Sequence, residues 1–275
     1  MIRKAIIPAA GLGKRFLPVT KAQPKEMLPV VDKPVIQYVV EEAISSGVTD
    51  ILIVTGKSKN AIENHFGKSE IRNESLDELD RMMERVNLFY TRQREPKGLG
   101  DAVYHAKSFV GDESFALLLG DTITIPGCTA EIIRKYEEFR TSIIAVETVP
   151  DEKVSSYGII KGKHVDGSMH LIEDLVEKPS TDEAPSNMAI IGRYILTPAI
   201  FDAIEQTSPG KGGEIQLTDA LHIMEKEKMY AYMYGGRRYD IGNKLDWIKA
   251  NIELSLADDR FNHELEDFLS SAIER

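Results

Sequence analysis

Only one cysteine, Cys128, occurs in the 275 residues, which excludes an internal disulfide framework and a thiolate metal cage. The six histidines include no pair at one-turn helical spacing, so they do not read as a metal site either. No apolar run approaches the ~18 residues of a membrane span, and there is no internal repeat or low-complexity tract. The start, Met1 to Ala10, is basic and then apolar. Its apolar stretch is short and Lys14 and Arg15 follow at once, which argues against secretion. The expected compartment is the cytoplasm. Basic residues are in the minority, 34 against 44 acidic, for a formal charge of −10. Such a surface repels nucleic-acid phosphates and offers no broad basic face. What remains is ordinary globular composition, 42% hydrophobic and 28% charged, on a length that suits one large domain.

The charge is unevenly spread. Residues 1–33 carry +5, from Arg3, Lys4, Lys14, Arg15, Lys21, Lys25 and Lys33 against Glu26 and Asp32, which leaves −15 for the rest. A concentrated basic segment in an acidic protein suggests a small anionic ligand; chance clustering on a solvated loop is the alternative.

Along the chain, Lys4 to Pro8 reads as a buried strand running into the small-residue loop Ala9-Ala10-Gly11-Leu12-Gly13. Pro18, Pro24, Pro29 and Pro34 then forbid a long helix and predict a fixed, extended loop. Asp32 is a candidate N-cap, with Pro34 in the first turn of a helix that Gly47 can end. Asp50 to Thr55 is a second strand, so the unit is a parallel pair with a crossover helix. Strands at 88–92, 115–119 and 142–149 then alternate with helices at 60–66, 99–109 and 129–139, and 70–85 is a charged helical excursion. This predicts an α/β domain with a mostly parallel, doubly covered sheet. From about residue 155 short strands (158–161, 170–176, 189–196) give way to helices near 198–205 and 215–227. A strand pair at 230–234 and 239–241 straddles Gly235-Gly236, and helices close the chain. With no linker between the halves, this reads as a smaller second lobe on the same sheet.

The first loop, AAGLGKRFLPVTKAQPKEMLP, carries most of the information. Small residues let backbone N–H groups approach a phosphate, and Arg15 and Lys25 supply charge. Two known phosphate loops fail on spacing. The dinucleotide fingerprint needs glycine where Phe16 stands, and the P-loop reading of Gly-Lys-Ser at 56–58 or 67–69 needs glycine where Ile51 or Ile62 stands. No Gly-x-Ser-x-Gly elbow is present. Asp121 follows an apolar strand, where α/β proteins bind ligands, and Asp240 follows a similar one. The pair could hold Mg²⁺, or each could be a turn former or helix cap. Glu177-Lys178-Pro179 ends a strand; Glu can accept sugar hydroxyls and Lys can hold a phosphate, unless both are solvated. Gly98 and Gly100 open a helix where an anion or a flat base could approach, and residues 212–219 enter another. The alternating Tyr230, Tyr232 and Tyr234 read as packing.

Taken together, the segments AIIPAAGLG and RFLP (within 4–18), PKEMLPVVDKPVIQYVVEEA (24–43), EPKGLGDAV (95–103), LLLGD (117–121), EKP (177–179), APSNMAIIGRY (184–194), GGEIQLTDA (212–220) and RYDIG (238–242) resemble the bacterial UTP–glucose-1-phosphate uridylyltransferase family over nearly the whole chain. The resemblance implies a Rossmann-like, three-layer nucleotidyltransferase fold as one domain, with a nucleotide-binding part at 1–154 and a sugar-binding lobe with C-terminal helices at 155–275. It implies UTP and glucose 1-phosphate as substrates, with a related nucleotidylyltransferase using dTTP or another hexose 1-phosphate, or a non-catalytic sugar-nucleotide sensor, as the alternatives. It also implies Mg²⁺ as cofactor and a homo-oligomer, dimer or tetramer, without nucleic acid or membrane partners. By the same resemblance, Ala9, Ala10, Gly11 and Gly13 form the nucleotide edge with Arg15 facing the triphosphate, and Lys25 is the catalytic lysine. Glu26, Gln93 and Gly98 are nucleoside contacts. Gly158, Glu177 and Lys178 form the sugar-phosphate site, and Asp121 and Asp240 hold the metal. Two departures stand out: Lys14 replaces the threonine common in relatives, and Thr122 replaces a second aspartate found in many.

Overall fold

Runs of Ile, Val, Leu and Ala that are apolar on both sides make strands covered on both faces. In the computed structural model, which describes residues 1–71, 73–224 and 227–273, the first such run is β1 (Lys4–Ala9). After it come the two-residue strands β2 (Pro29–Val30) and β3 (Lys33–Pro34), helix α1 (Val35–Ser45) and β4 (Asp50–Thr55). Next are α2 (Asn60–His65), α3 (Glu74–Met83), β5 (Asn87–Arg92), α4 (Leu99–Tyr104), α5 (Lys107–Val110), β6 (Phe115–Leu118), β7 (Thr122–Ile125), α6 (Thr129–Phe139) and β8 (Ile143–Thr148). The remainder is β9 (Gly158–Asp166), β10 (Met169–Glu177), β11 (Met188–Leu196), α7 (Ala199–Gln206), α8 (Leu217–Ile223), β12 (Tyr230–Met233), β13 (Arg237–Asp240), α9 (Lys244–Leu256) and α10 (Asn262–Ile273).

Nine strands form one sheet in the order β5-β4-β1-β6-β11-β8-β12-β10-β9. The first four are parallel, with Ile6 beside Leu52 on one side and Leu117 on the other. Neighbouring residues of β1 face opposite ways. Ile7 packs with Ile36, Val40 and Ile132 of α1 and α6, while Ile6 packs with Val103, Phe201 and Leu221 of α4, α7 and α8. The sheet is therefore sandwiched between helices, and the carboxyl ends of β1 and β6 open at one edge.

The expected mostly parallel sheet is corrected to a mixed one. Strand β11 enters between β6 and β8 antiparallel to both, and β9 and β10 form a hairpin across Gly167. A second pairing, β11 with β9, closes β11-β8-β12-β10-β9 into a small ring. The sequence of β11, apolar on both faces, cannot reveal its direction, because burial on two sides looks the same in either orientation. Its register slips between Ile190 and Tyr194, at Gly192 (φ +80°), which lets one strand serve both sheet and ring.

Four local expectations also change. The proline-rich stretch is folded into three short 3₁₀ turns, at Lys14–Phe16, Val19–Lys21 and Lys25–Met27. Asp32 does not cap α1, whose N-cap position is Pro34; instead it pairs with Arg260 at 2.8 Å. The helix expected at 99–109 is two short ones. The strands flanking Gly235-Gly236 do not pair with each other: β12 lies between β8 and β10, and β13 pairs with β7 in a separate ribbon. The expected helices reaching 227 and 275, and the charged excursion, include positions 225–226, 274–275 and 72, which lie outside the described residues. Among the described residues no helix is long and apolar enough to cross a membrane.

Candidate active site

The chain leaves β1 through Ala9, which is buried in the core beneath the loop and does not line the cleft above it. Ala10, Gly11 and Gly13 do line that cleft, whose volume is about 430 Å³. Gly13 takes φ +63° and starts the first 3₁₀ turn, its carbonyl accepting from Thr20 Oγ1 at 2.7 Å. A Cβ at Gly11 would touch Lys25 Cε at 3.5 Å, so the lysine lies across the glycine loop.

Gln93, Gly98 and Glu26 stand in the same cleft. Gln93 is buried and donates to the Gly98 carbonyl (3.1 Å) and to Asp101 Oδ2 (2.6 Å), which fixes the loop in which Gly98 sits. Gly98 has φ +106°, and a Cβ there would stand 2.6 Å from the Ile215 carbonyl. The loop is laced to the segment ahead of α8 by Ile215 N–H to the Lys97 carbonyl (2.7 Å) and Gly100 N–H to the Ile215 carbonyl (2.9 Å). Gly98→Ala is therefore expected to destabilise the protein by at least about 2 kcal/mol. Urea unfolding measures the loss, and an unchanged stability would refute the packing argument.

A second cleft, of about 500 Å³, is lined by Gly158, Glu177 and Lys178 and also by Arg15. Glu177 ends β10. Its Oε2 accepts from Thr218 Oγ1 at 2.7 Å and its Oε1 pairs with the Lys178 ammonium at 2.8 Å. Lys178 has φ +46°, a left-handed backbone held by its N–H donating to the Tyr157 carbonyl at 3.0 Å. Gly158 must stay small, since a Cβ would meet Thr218 Oγ1 at 2.8 Å. Arg15, expected at the triphosphate, belongs to this second cleft and lies against Gly242, next to Asp240.

The two clefts share Asp121 as common wall. The ribbon places Asp240 opposite Thr122, one residue from Asp121, so antiparallel register brings together two carboxylates from distant parts of the chain. Asp240 does not cap α9; Asn243 does, and Asp240 Oδ1 accepts from Gly242 N–H at 2.8 Å. Lys25 Nζ donates to Asp121 Oδ2. Burial works most strongly against the Asp121 carboxylate, but the charge and hydrogen bond of Lys25, with a backbone hydrogen bond and Arg15, together outweigh it and hold its pKa below the ordinary value. Burial also works against the Lys25 ammonium, yet Asp121 and then Glu26 raise its pKa. Asp240 is raised, first by burial and then by the Asp121 charge. One lysine thus neutralises one carboxylate, and the second remains under-compensated. Two half-buried carboxylates at the meeting of two clefts, the second only partly offset by Arg15 and Arg238, fit a hard divalent cation that takes its other ligands from substrate and water. Among the described residues no third His, Cys, Asp or Glu joins them.

Sequence reasoning missed Arg238, which lines the second cleft, pairs with Glu147 and lies 4.5 Å above the Tyr157 ring. Its position two before Asp240 on a strand puts both on one face, and that signal was available. It also missed Glu214, which lines both clefts, and Lys59, which pairs with Glu26 at 2.6 Å.

The nucleotidyl transferase family pattern matches residues 4–255. A UTP–glucose-1-phosphate uridylyltransferase of Bacillus subtilis is 47% identical, covering 100% of this chain and 98% of that protein. One of Staphylococcus epidermidis is 48% identical over 98% of this chain and 97% of its own. Among solved structures, a UDP-glucose pyrophosphorylase complexed with UDP-glucose matches with TM-score 0.91 and 42% identity, over 94% of this chain and all of that one. The UTP-bound enzyme of Acinetobacter baumannii matches with TM-score 0.86 and 37% identity, over 98% and 99%. Full-length similarity at this level, on the same fold and with a two-cleft site in place, makes the chain a member of the nucleotidyl transferase family and, within it, of the UTP–glucose-1-phosphate uridylyltransferases.

Proposed function

We propose that this protein forms UDP-glucose and pyrophosphate from UTP and glucose 1-phosphate. The observation that carries the reading is the shared wall: two anion-sized clefts meet at Asp121, with Lys25 bound to it and Arg15 beside its partner Asp240. UTP takes the first cleft, with its phosphates over Gly11 and Gly13 and its base toward Gln93, Gly98 and Glu26. Glucose 1-phosphate takes the second, with Glu177 accepting sugar hydroxyls, Lys178 holding the phosphate, and Gly158 leaving room for the ring.

A phosphate oxygen of the sugar attacks the α-phosphorus. The new P–O bond forms as the bond to the β-phosphate breaks, and pyrophosphate leaves. The substrate is its own nucleophile, so the protein supplies positioning and charge. Lys25 neutralises charge on the transferring and departing groups, and Arg15 screens the two substrates from each other. Asp121 and Asp240 are the pair suited to hold Mg²⁺, which when bound supplies charge neutralisation on phosphate oxygens. Residues 1–154 form the nucleotide part and 155–275 the sugar lobe of one domain. The enzyme works in the cytoplasm as a homo-oligomer, dimer or tetramer.

The test is pyrophosphate release from UTP and from dTTP with a panel of hexose 1-phosphates, with and without Mg²⁺. Preference for UTP with glucose 1-phosphate, abolished by chelation, is expected. No metal-dependent release with any hexose 1-phosphate overturns the reading. Within it, Lys178→Ala should raise KM for glucose 1-phosphate by roughly 10- to 100-fold, the loss of one charge-assisted phosphate contact. kcat should change little, and a fall in kcat alone would remove Lys178 from the binding role.

A further inference from the structure

The segment 56–59 leaves β4 directly beneath the phosphate loop. Gly56 is so close to it that a Cβ there would stand 2.8 Å from the Ala10 carbonyl. Ser58 turns the chain with φ +64°, and Lys59 donates to Glu26 Oε2 at 2.6 Å, with the two side chains 8% and 1% exposed. Glu26 lines the first cleft. Its other oxygen, Oε1, accepts no hydrogen bond from the described residues.

A buried ion pair is poor evidence for stability, because dehydrating two charges cancels most of their attraction, and apolar side chains of equal volume serve as well. What it can do and an apolar pair cannot is keep an anionic acceptor in a dry place. Burial holds the Glu26 carboxyl above its ordinary pKa, and the Lys59 and then the Lys25 charge offset part of that rise and so favour the anion. A protonated Glu26 would be a donor in one orientation and an acceptor in another, and would read no base.

We propose that Lys59 is a specificity-positioning residue for the nucleobase: by occupying Oε2 it leaves Oε1 of Glu26 as a fixed acceptor facing the cleft. That acceptor takes the imide N–H of uracil. Cytosine presents a lone pair at the same ring nitrogen and is repelled. The inference rests on the uridylyl-transfer reading above and extends it to a residue that does not touch the substrate.

The experiment compares wild type, Lys59→Met, Lys59→Arg, Glu26→Gln and the double variant Glu26→Gln/Lys59→Met. Steady-state turnover with UTP and with CTP is measured, together with calorimetric binding of both nucleotides and the unfolding temperature. Lys59→Met should lower kcat/KM for UTP about tenfold or more, through KM, since a site that hydrogen-bonds its substrate loses selectivity when that bond is loosened. The UTP-to-CTP ratio should fall by at least the same factor, with KM for glucose 1-phosphate unchanged. Lys59→Arg should restore most of the ratio, and adding Lys59→Met to Glu26→Gln should lower it no further. An unchanged ratio in Lys59→Met alongside a lower unfolding temperature overturns the proposal and leaves Lys59 a structural residue. If Lys59→Met does not fold, the double variant, which buries no charge there, is compared with Glu26→Gln, and a further fall in the ratio overturns it. Failure of wild type to turn over UTP with any hexose 1-phosphate counts against the uridylyl-transfer reading, while the binding ratio still decides the role of Lys59.

Discussion

Replacing Lys25 by alanine is expected to lower kcat by about 100- to 1,000-fold and to change KM for either substrate far less. The side chain crosses Gly11 and ends on Asp121, the wall common to both clefts. On the proposed reading, charge gathers there as the α-phosphorus passes from one oxygen to another, and a fixed ammonium in a partly dry cleft is worth more to that arrangement than to either ground state. Methionine would fill the same space without the charge, so Lys25→Met should resemble the alanine variant, which separates charge from volume. Steady-state pyrophosphate release decides the matter: a raised KM with kcat intact would make Lys25 a ground-state binder.

The largest effect on stability is expected from Arg193→Met, about 3–5 kcal/mol. Arg193 is fully buried, and its guanidinium bonds Glu42 Oε2 at 2.8 Å and the carbonyls of Thr122 and Gly192 at 2.7 and 3.1 Å. Glu42 in turn accepts from Thr129 N–H (2.9 Å), Thr129 Oγ1 (2.6 Å), Cys128 N–H (3.0 Å) and Thr124 Oγ1 (2.9 Å), closing the start of α6. Removing the guanidinium strands a carboxylate in the core and frees the carbonyl next to Asp121. Urea unfolding near neutral pH measures the loss, and a cost below about 1 kcal/mol would show that the network tolerates an uncompensated charge. The pH dependence has a definite sign. Burial raises the Glu42 carboxyl, but Arg193 and the hydroxyl donors outweigh it and hold the folded pKa below the ordinary one. Its contribution is therefore complete above the unfolded value, about 4.3, and is lost as pH falls through the lower folded value. The wild-type stability curve should drop more steeply there than that of Arg193→Met.

The parallel half of the sheet was legible because β1, β4 and β6 are continuous apolar runs at regular intervals, and a strand buried on both faces has no other appearance. That Gly11, Gly13, Lys25 and Asp121 would line one cleft was legible because loop chemistry and position after a strand limit where such residues can stand. The direction of β11 was not, since its neighbours are chosen by chain segments far from it. The same holds for the ribbon that sets Asp240 beside Asp121: residue types suggested a pair, but only register makes them neighbours. Lys59 lay in a Gly-Lys-Ser-Lys stretch tested against one phosphate motif and set aside on spacing, although its partner is a carboxylate and not a phosphate. Arg193 did leave a trace, a lone guanidinium within MAIIGRYIL, and a fully buried charge of that kind demands a buried counter-charge somewhere.

Because β11 fills the place between β6 and β8, a ribosome making this chain releases two strands with a vacancy between them and must add some forty further residues before the missing one emerges. Until then each flanking strand offers raw backbone donors and acceptors to any passing peptide. The second neighbour of β8, β12 at Tyr230–Met233, arrives later still, so that strand keeps an open edge until most of the chain has been made.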